Sequence, residues 1–343
     1  MTEFCGIEVE GRVVAASCPA TESLANIIAC AEHGASAVIL KSASGARLGD
    51  KGTRRCHLDG TGFWAESGFD REIMPLAQAA ALMREATAAV RVPVAASVTE
   101  MTLAPGPWLA SCAALEKAGA DVLQLDFFYL PNLLSDRGFA DRFIRLLREI
   151  RSGCRVPVMP KLNIGLPADY AAYLLGEAGV GYVSLLDSIR SPSPAGAYLT
   201  GESLSMFGSY MLPVTRQYTQ TLSKAGLSVC AGGGVTGAEQ AAELIRLGAE
   251  TVQIATEALL HGFARFGEID DEIPARLAAQ KPQPAVRPRK AVFDAERCTG
   301  CGRCRTQTFC AIAGSLAEGN HACEGCGFCA QICPGGAIAM RAS

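Results

Sequence analysis

The sequence predicts an α/β protein: a (β/α)₈ TIM barrel followed by a small Cys-rich α+β domain. Three observations predict it. Apolar runs alternate with segments of helical period eight times in about 270 residues, the usual size of a closed barrel. The runs are continuously apolar, as strands covered on both sides are. The composition then changes after Gln280–Lys290, a stretch rich in proline and charge that reads as a linker.

The strands follow in order. Val13–Cys18 is the first, with a helix ending at Gly34, and Ala37–Ser44 is the second. Pro93–Thr99, Asp121–Leu130, Val156–Ile164 and Gly181–Ile189 are the third to sixth. Leu227–Val235 is the seventh and Thr251–Leu259 the eighth. Periodicity does not separate a closed barrel from an open doubly wound sheet, and that alternative stays open here. Two connections are too long for plain loops: Gly45–Met74 after strand two and Arg190–Gly226 after strand six. Both leave strand C-termini, the face that carries barrel active sites, so both read as lids or binding loops. The expected organisation is a barrel over residues 1–280, a linker over 281–291 and a second domain over 292–343.

Composition narrows the function. With 343 residues, 49% of them hydrophobic, the chain can bury a large core. A net charge of −3 points away from nucleic acid and anionic membranes. Met1–Gly11 carries no apolar signal run and no membrane-length apolar stretch follows, so a cytoplasmic protein is expected. Of the 15 cysteines, eight lie between Cys298 and Cys333. Disulfide frameworks belong to small secreted chains, so these eight are expected to bind metal. Most of the other seven read as small core residues.

The tail cysteines form two runs. Cys298, Cys301 and Cys304 are spaced by two residues, with Cys310 five residues further on. Cys323, Cys326 and Cys329 repeat the spacing, followed by Cys333-Pro334. This is the ligand pattern of a bacterial-ferredoxin-like domain with two [4Fe–4S] clusters, in which the distant cysteine of each run crosses to the other cluster. Cys298, Cys301, Cys304 and Cys333 are thus expected to hold one cluster, and Cys310, Cys323, Cys326 and Cys329 the other. Zinc, the competing metal, rarely needs three cysteines in one such run.

In the barrel, Gly232, Gly233 and Gly234 end strand seven, where backbone N–H groups can approach a phosphate. Gly232-x-Gly234-x-x-Gly237 also matches a dinucleotide fingerprint, but it follows a seventh strand rather than opening a βαβ unit. Lys41 and Lys161 fall at strand C-termini inside the barrel, where a buried ammonium needs a partner.

Together with Ala16-Ser17, Lys41-Ser42, Pro131-Asn132, Lys161-Leu162, Phe207-Gly208-Ser209, Pro213 and Ala255-Thr256, these features resemble the dihydroorotate dehydrogenase superfamily. Barrel plus tail resembles the FMN and iron–sulfur half of dihydropyrimidine dehydrogenases over essentially the whole chain. The resemblance implies FMN held by Ala16, Ser17, Lys41, Ser42, Lys161, Asp187, Gly208, Ser209, Gly232, Gly233, Gly234, Ala255 and Thr256. It also implies that the lysines stabilise the reduced ring. The chain departs from the family where strand four ends: Phe127 stands in place of an Asn, and Leu130 in place of a Cys found in part of the family. Leu186-Asp187-Ser188 replaces an Asn-Thr pair. Dihydroorotate and uracil are therefore not the expected substrates.

The expected activity is reduction of an activated C=C bond, or its reverse, on a small planar or anionic substrate. The proton donors expected in the first insertion are Cys56, His57 and Glu66, with Lys161 beside the flavin and Asp126, Tyr129, Ser135 and Asp187 as further candidates. No nicotinamide domain is visible, so the expected redox partner is a ferredoxin or an NAD(P)H-binding flavoprotein subunit; a homodimer is compatible with this. The rival expectation is an electron-transfer subunit whose barrel is not catalytic.

Overall fold

The computed structural model describes residues 2–46, 56–58, 62–66, 73–127, 137–186, 188–192, 203–279, 289–306, 310 and 323–342. For 56–58, 62–66, 190–192 and 203–204 only the backbone is described. The chain divides into two compact units, Met1–Ala278 and Ala279–Ser343.

Unit one begins with a hairpin of β1 (Thr2–Phe4) and β2 (Ile7–Val9). Eight strands then form the barrel, with other short strands between them. They are β3 (Val13–Ala15), β4 (Val38–Ile39), β9 (Val94–Val98), β10 (Val122–Asp126), β11 (Val158–Lys161), β12 (Tyr182–Ser184), β15 (Ser228–Gly232) and β16 (Ala249–Ile254). Each pairs in parallel with the next, and β16 pairs with β3, so the sheet closes. The open-sheet alternative is thereby set aside. Helices α1 (Leu24–Glu32), α2 (Leu76–Ala89), α3 (Pro105–Lys117), α4 (Phe139–Gly153), α5 (Ala168–Ala178), α6 (Leu212–Lys224) and α7 (Ala238–Arg246) connect the strands. After β16 come α8 (Thr256–His261) and α9 (Arg265–Ala278).

Side-chain parity sorts each strand into two environments. Ala15, Val38, Leu40, Ala96, Val98, Leu123, Leu125, Val183, Leu185, Val229 and Ile254 pack outward against the helices. Val14, Ala37, Ile39, Ala95, Val122, Met159 and Cys230 point inward and meet Phe4 and Cys5 of the β1–β2 hairpin, which plugs the N-terminal end. Further along four of these strands, the inward set becomes polar. Ile39 gives way to Lys41, Ala95 to Ser97 and Thr99, Val122 to Gln124 and Asp126, and Met159 to Lys161. The barrel is apolar at its N-terminal end and polar towards its C-terminal mouth.

The two long insertions fold together. β6 (Cys56–Leu58) and β7 (Gly62–Glu66) come from the first, and β13 (Ile189–Pro192) and β14 (Ser203–Gly208) from the second. They form one antiparallel sheet in the order β13-β14-β7-β6. Two short strands, β5 (Ala43–Ser44) and β8 (Met74–Pro75), pair at the base of the first insertion. The second insertion is shorter than the sequence suggests, because its last part is α6, the barrel helix of strand six.

Unit two holds a two-stranded sheet of β17 (Arg289–Phe293) and β18 (Ile338–Ala342), with α10 (Phe328–Ile332). The Cys-x₂-Cys-x₂-Cys stretches of its two runs share a backbone turn. Gly300 and Gly325 have φ of 69° and 77°, and Gly302 and Gly327 have φ of 72° and 77°. A left-handed glycine on each side of the middle cysteine curls both loops the same way. Each loop then enters a helical turn, Arg303–Thr306 in the first run and α10 in the second.

Candidate functional site

The mouth of the barrel is built from residues one step beyond the apolar plug. Asp126 ends β10 and Lys161 ends β11, at the same register, and Lys161 is level with Ser184 on β12. All three are buried, as is Lys41. Burial pushes the Cys230 thiol up to about 12, while a hydrogen bond from Thr251 and the charge of Lys161 pull the other way. Lys161 is therefore within electrostatic reach of the inward thiol on β15.

Ser42 is the hub of a buried hydrogen-bond network. Its Oγ lies 2.8 Å from Asp126 Oδ2, 2.9 Å from Ser97 Oγ and 3.1 Å from Ser17 Oγ. Gln124 Nε2 donates to Ser97 Oγ at 2.9 Å. Across the barrel, Gln253 Nε2 donates to Ser184 Oγ at 2.7 Å and to the Leu185 carbonyl. Four buried polar atoms in this upper half have no hydrogen-bond partner among the described residues: Thr99 Oγ1, Gln124 Oε1, Ser188 Oγ and Gln253 Oε1. Leaving such atoms unmet costs about 1–3 kcal/mol each, so they point to a polar ligand or ordered water at this level.

A second cluster lies beside the ends of β14 and β15. Gly208 has φ 99° and ψ −149°, a conformation open to glycine, and leads through Ser209 into α6. Gly233 and Gly234 have φ of 95° and 90°. A Cβ on Gly234 would sit 2.6 Å from the Leu212 nitrogen, and one on Gly233 would sit 3.0 Å from Thr215 Oγ1 and 3.2 Å from Met211 Cβ. The turn after strand seven and the start of α6 thus pack backbone against backbone. Thr215 Oγ1 donates to the carbonyls of Gly232 and Gly233 at 3.0 and 2.7 Å. The N–H groups of Gly233 and Gly234 donate to no backbone acceptor among the described residues. They remain available to an anion.

No protein-family model and no curated protein matches the chain. Among the described residues, no helix is long and apolar enough to cross a membrane.

The sequence-predicted residues divide as follows. Ala16 and Ser17 follow β3, with the Ala16 N–H donating to the Ile254 carbonyl at 3.1 Å. Lys41, Ser42 and Lys161 share the mouth, and Gly208 and Ser209 join Gly232–Gly234 through the start of α6. Ala255 and Thr256 are not on strand eight: the strand ends at Ile254 and Thr256 opens α8. Cys56, His57 and Glu66 lie on β6 and β7, pairing by backbone with Ala65, Trp64 and Leu204. Tyr129, Pro131, Asn132, Ser135 and Asp187 lie outside the described residues, as does most of the linker.

Phe127 corrects the sequence reading. Its ring packs outward, 5.0 Å from Trp108 and 4.8 Å from Phe143. It occupies the layer between barrel and helices and cannot stand in for a ligand-binding amide. The inward residue at the end of strand four is Asp126. Ser97, Gln124, Ser184 and Gln253 were not singled out from sequence. Strand parity from Val122 or Ala95 would have found the first two.

In unit two, burial raises the Cys329 thiol first, and Cys310, Cys323 and Cys326 raise it further. These are the four cysteines that the crossing pattern assigns to one cluster, including the distant Cys310. The turn after Cys333 packs on the first run: a Cβ on Gly335 would meet the Arg297 carbonyl at 2.6 Å and Thr299 Cγ2 at 3.3 Å. Backbone N–H groups approach three thiols: Gly300 to Cys298 at 3.4 Å, Ala291 to Cys323 at 3.4 Å and Ala337 to Cys333 at 3.2 Å. Cys301 is lowered, first by a backbone bond from Arg303. At Cys301 that donor favours the thiolate form. Among the described residues, no three His, Cys, Asp or Glu side chains are arranged to hold a single metal ion. A cubane asks for less convergence, since each of its four cysteines binds a different iron.

Proposed function

We propose that the chain is an FMN- and iron–sulfur-dependent oxidoreductase acting on an activated C=C or CH–CH bond of a small planar or anionic substrate. The observation that carries this reading is the grouping of Cys310 with Cys323, Cys326 and Cys329 while the Cys333 turn rests on the first run. A crossed two-cluster ferredoxin would bring these cysteines together in this way, and such a module carries single electrons and needs a redox centre to serve.

The barrel supplies the place for that centre. Lys41, Lys161, Ser17 and Ser42 would face the flavin ring, with the unmet acceptors on Gln124 and Gln253 at the level below. Gly233, Gly234 and Ser209 would take the phosphate, with Thr256 at the start of α8. When bound, FMN supplies hydride chemistry in pairs and passes electrons on singly. The chain's own contribution would be electrostatic: the two buried lysines would stabilise negative charge at the mouth. The sheet that joins both insertions would cover the substrate, and a separate ferredoxin or NAD(P)H-binding flavoprotein would exchange electrons with the tail.

The rival reading, an electron-transfer subunit with an inert barrel, drew on the amides missing around Trp64, at Leu186-Asp187-Ser188 and at Phe127. Phe127 lies outside the mouth, so its identity does not argue for lost chemistry. Anaerobic purification followed by flavin, iron and sulfide analysis tests the proposal. It predicts FMN, about eight iron and about eight sulfide per chain, and bleaching of flavin absorbance by a substrate in a screen of activated alkenes. Protein with clusters and no flavin would favour the rival.

A further inference from the structure

The buried network around Ser42 has a fixed direction, which follows from counting protons. An ionised carboxylate only accepts, so the one Ser42 hydroxyl proton goes to Asp126 Oδ2, 2.8 Å away. Ser42 must then accept from both Ser17 and Ser97, at 3.1 and 2.9 Å. Ser97 in turn accepts from Gln124 Nε2 at 2.9 Å. Every hydroxyl in the network points towards Asp126.

The two branches end differently. The Ser97 branch stops at an amide N–H, which does not pass protons on. The Ser17 branch ends at a hydroxyl beyond the end of β3. Ser17 is 8% exposed, against 1% for Ser42, Ser97 and Asp126 and 0% for Gln124. Of the two branches, only the one through Ser17 ends in a hydroxyl, and it ends at the mouth.

We propose that Ser17, Ser42 and Asp126 form a proton relay that carries the proton released in the barrel reaction to the buried Asp126 carboxylate. This rests on the flavin reading above. A flavin held at this mouth would take the hydride, one proton with two electrons, of an oxidised CH–CH bond, and the second proton would go to Ser17 Oγ. Ser17 passes its own proton to Ser42, and Ser42 passes its own to Asp126 Oδ2. Both hydroxyls end neutral and the carboxylate ends as the acid, so charge and atoms balance. The reverse reaction runs the same chain outward.

Charged groups stand around Asp126. Lys161 faces it from β11 at the same register, Lys41 precedes Ser42 on the β4 side, and Glu100 ends the β9 side. Glu100 is committed elsewhere, accepting from Ser44 Oγ, the Gly45 N–H and Ser111 Oγ at 3.0, 3.0 and 2.6 Å. A negative bound group at the mouth would draw on these same lysines, so the end of the relay lies beside the cations that would serve that group. Asp126 and Ser42 act through Ser17, so they are positioning and relay residues.

The test uses full-length protein loaded with FMN, reduced by light without substrate, and read by infrared difference spectroscopy. A carboxylic-acid C=O band should appear on reduction in wild type and be missing in Asp126→Asn, with flavin content unchanged. Ser42→Ala and Ser17→Ala should keep the band but slow its appearance by about 10²-fold or more, the usual worth of a positioned proton donor or acceptor. Ser42→Thr, which keeps the hydroxyl, should restore the rate. The relay is overturned if flavin-loaded wild type shows no band, if Asp126→Asn keeps it, or if both Ala variants match the wild-type rate. Protein that binds no FMN, seen beforehand by absorbance, overturns the flavin reading itself and the relay with it.

Discussion

Phe127→Asn puts an amide at the end of strand four, and the structure predicts that it brings only loss. The ring is 2% exposed and tilted against Trp108 and Phe143 at 5.0 and 4.8 Å. Removing such a ring costs about 3–5 kcal/mol, and the buried amide left without partners adds about 1–3 kcal/mol. The total, about 4–8 kcal/mol, is comparable with a whole domain's stability of about 5–15 kcal/mol. Urea unfolding followed by tryptophan fluorescence should show the drop, since Trp108 is the ring's neighbour. Phe127→Leu keeps most of the volume and should lose only about 1–3 kcal/mol. Both variants, where folded, should bind FMN as wild type does, because the side chain is on the wrong side of the strand to touch it. Wild-type stability in the Asn variant, or tighter flavin binding, would refute the outward placement and return the site to Phe127.

Other consequences follow from named contacts. Cys310→Ala should cost the second-run cluster and Cys333→Ala the first, read as a fall from about eight iron to about four; loss of the opposite cluster would undo the crossing. Gly234→Ala places a Cβ 2.6 Å from the Leu212 nitrogen at φ 90° and should destabilise unit one by about 2–5 kcal/mol in urea. Flavin loss in that variant therefore needs a folding control before it is credited to the phosphate. Cys56→Ala or His57→Ala should slow substrate-dependent flavin reduction by about 10²-fold while an artificial donor still reduces the clusters; wild-type turnover in both would pass the role to Glu66 and Asp187. Burial raises Cys30 and Cys230 from 9.0 to about 12, so the unfolded thiols ionise first. Stability is then intact below pH 9 and falls as pH rises towards 12, and Cys30→Ala plus Cys230→Ala should flatten that fall in urea midpoints.

The strand order was legible because most strands are continuous apolar runs between helices of clear period, whereas closure shows only in the pairing of β16 with β3. The missed elements broke that code for physical reasons. The buried stripe of α6 is Thr215, Tyr218, Thr219 and Leu222, a helical spacing written in threonines and a tyrosine rather than in aliphatics. The insertion sheet depends on pairing between segments more than 130 residues apart, as in Glu66 with Leu204, which local patterning does not encode. Phe127 was misplaced because the motif was aligned from its trailing Pro131-Asn132. Strand parity assigns the inward face to Val122, Gln124 and Asp126, and a shift of one residue exchanges faces. The two lysines and the eight tail cysteines were legible because buried charge and repeated Cys-x₂-Cys spacing have few structural uses.

The central claim is that one chain couples a flavin in the barrel to iron–sulfur clusters in the tail. Photoreduction of the anaerobic, FMN-loaded protein, followed by low-temperature electron paramagnetic resonance, tests it most directly. The account predicts that flavin bleaching is followed by signals of reduced [4Fe–4S] clusters, weakened in Cys333→Ala. Flavin that bleaches while intact clusters stay silent, or protein that holds neither group, would contradict it.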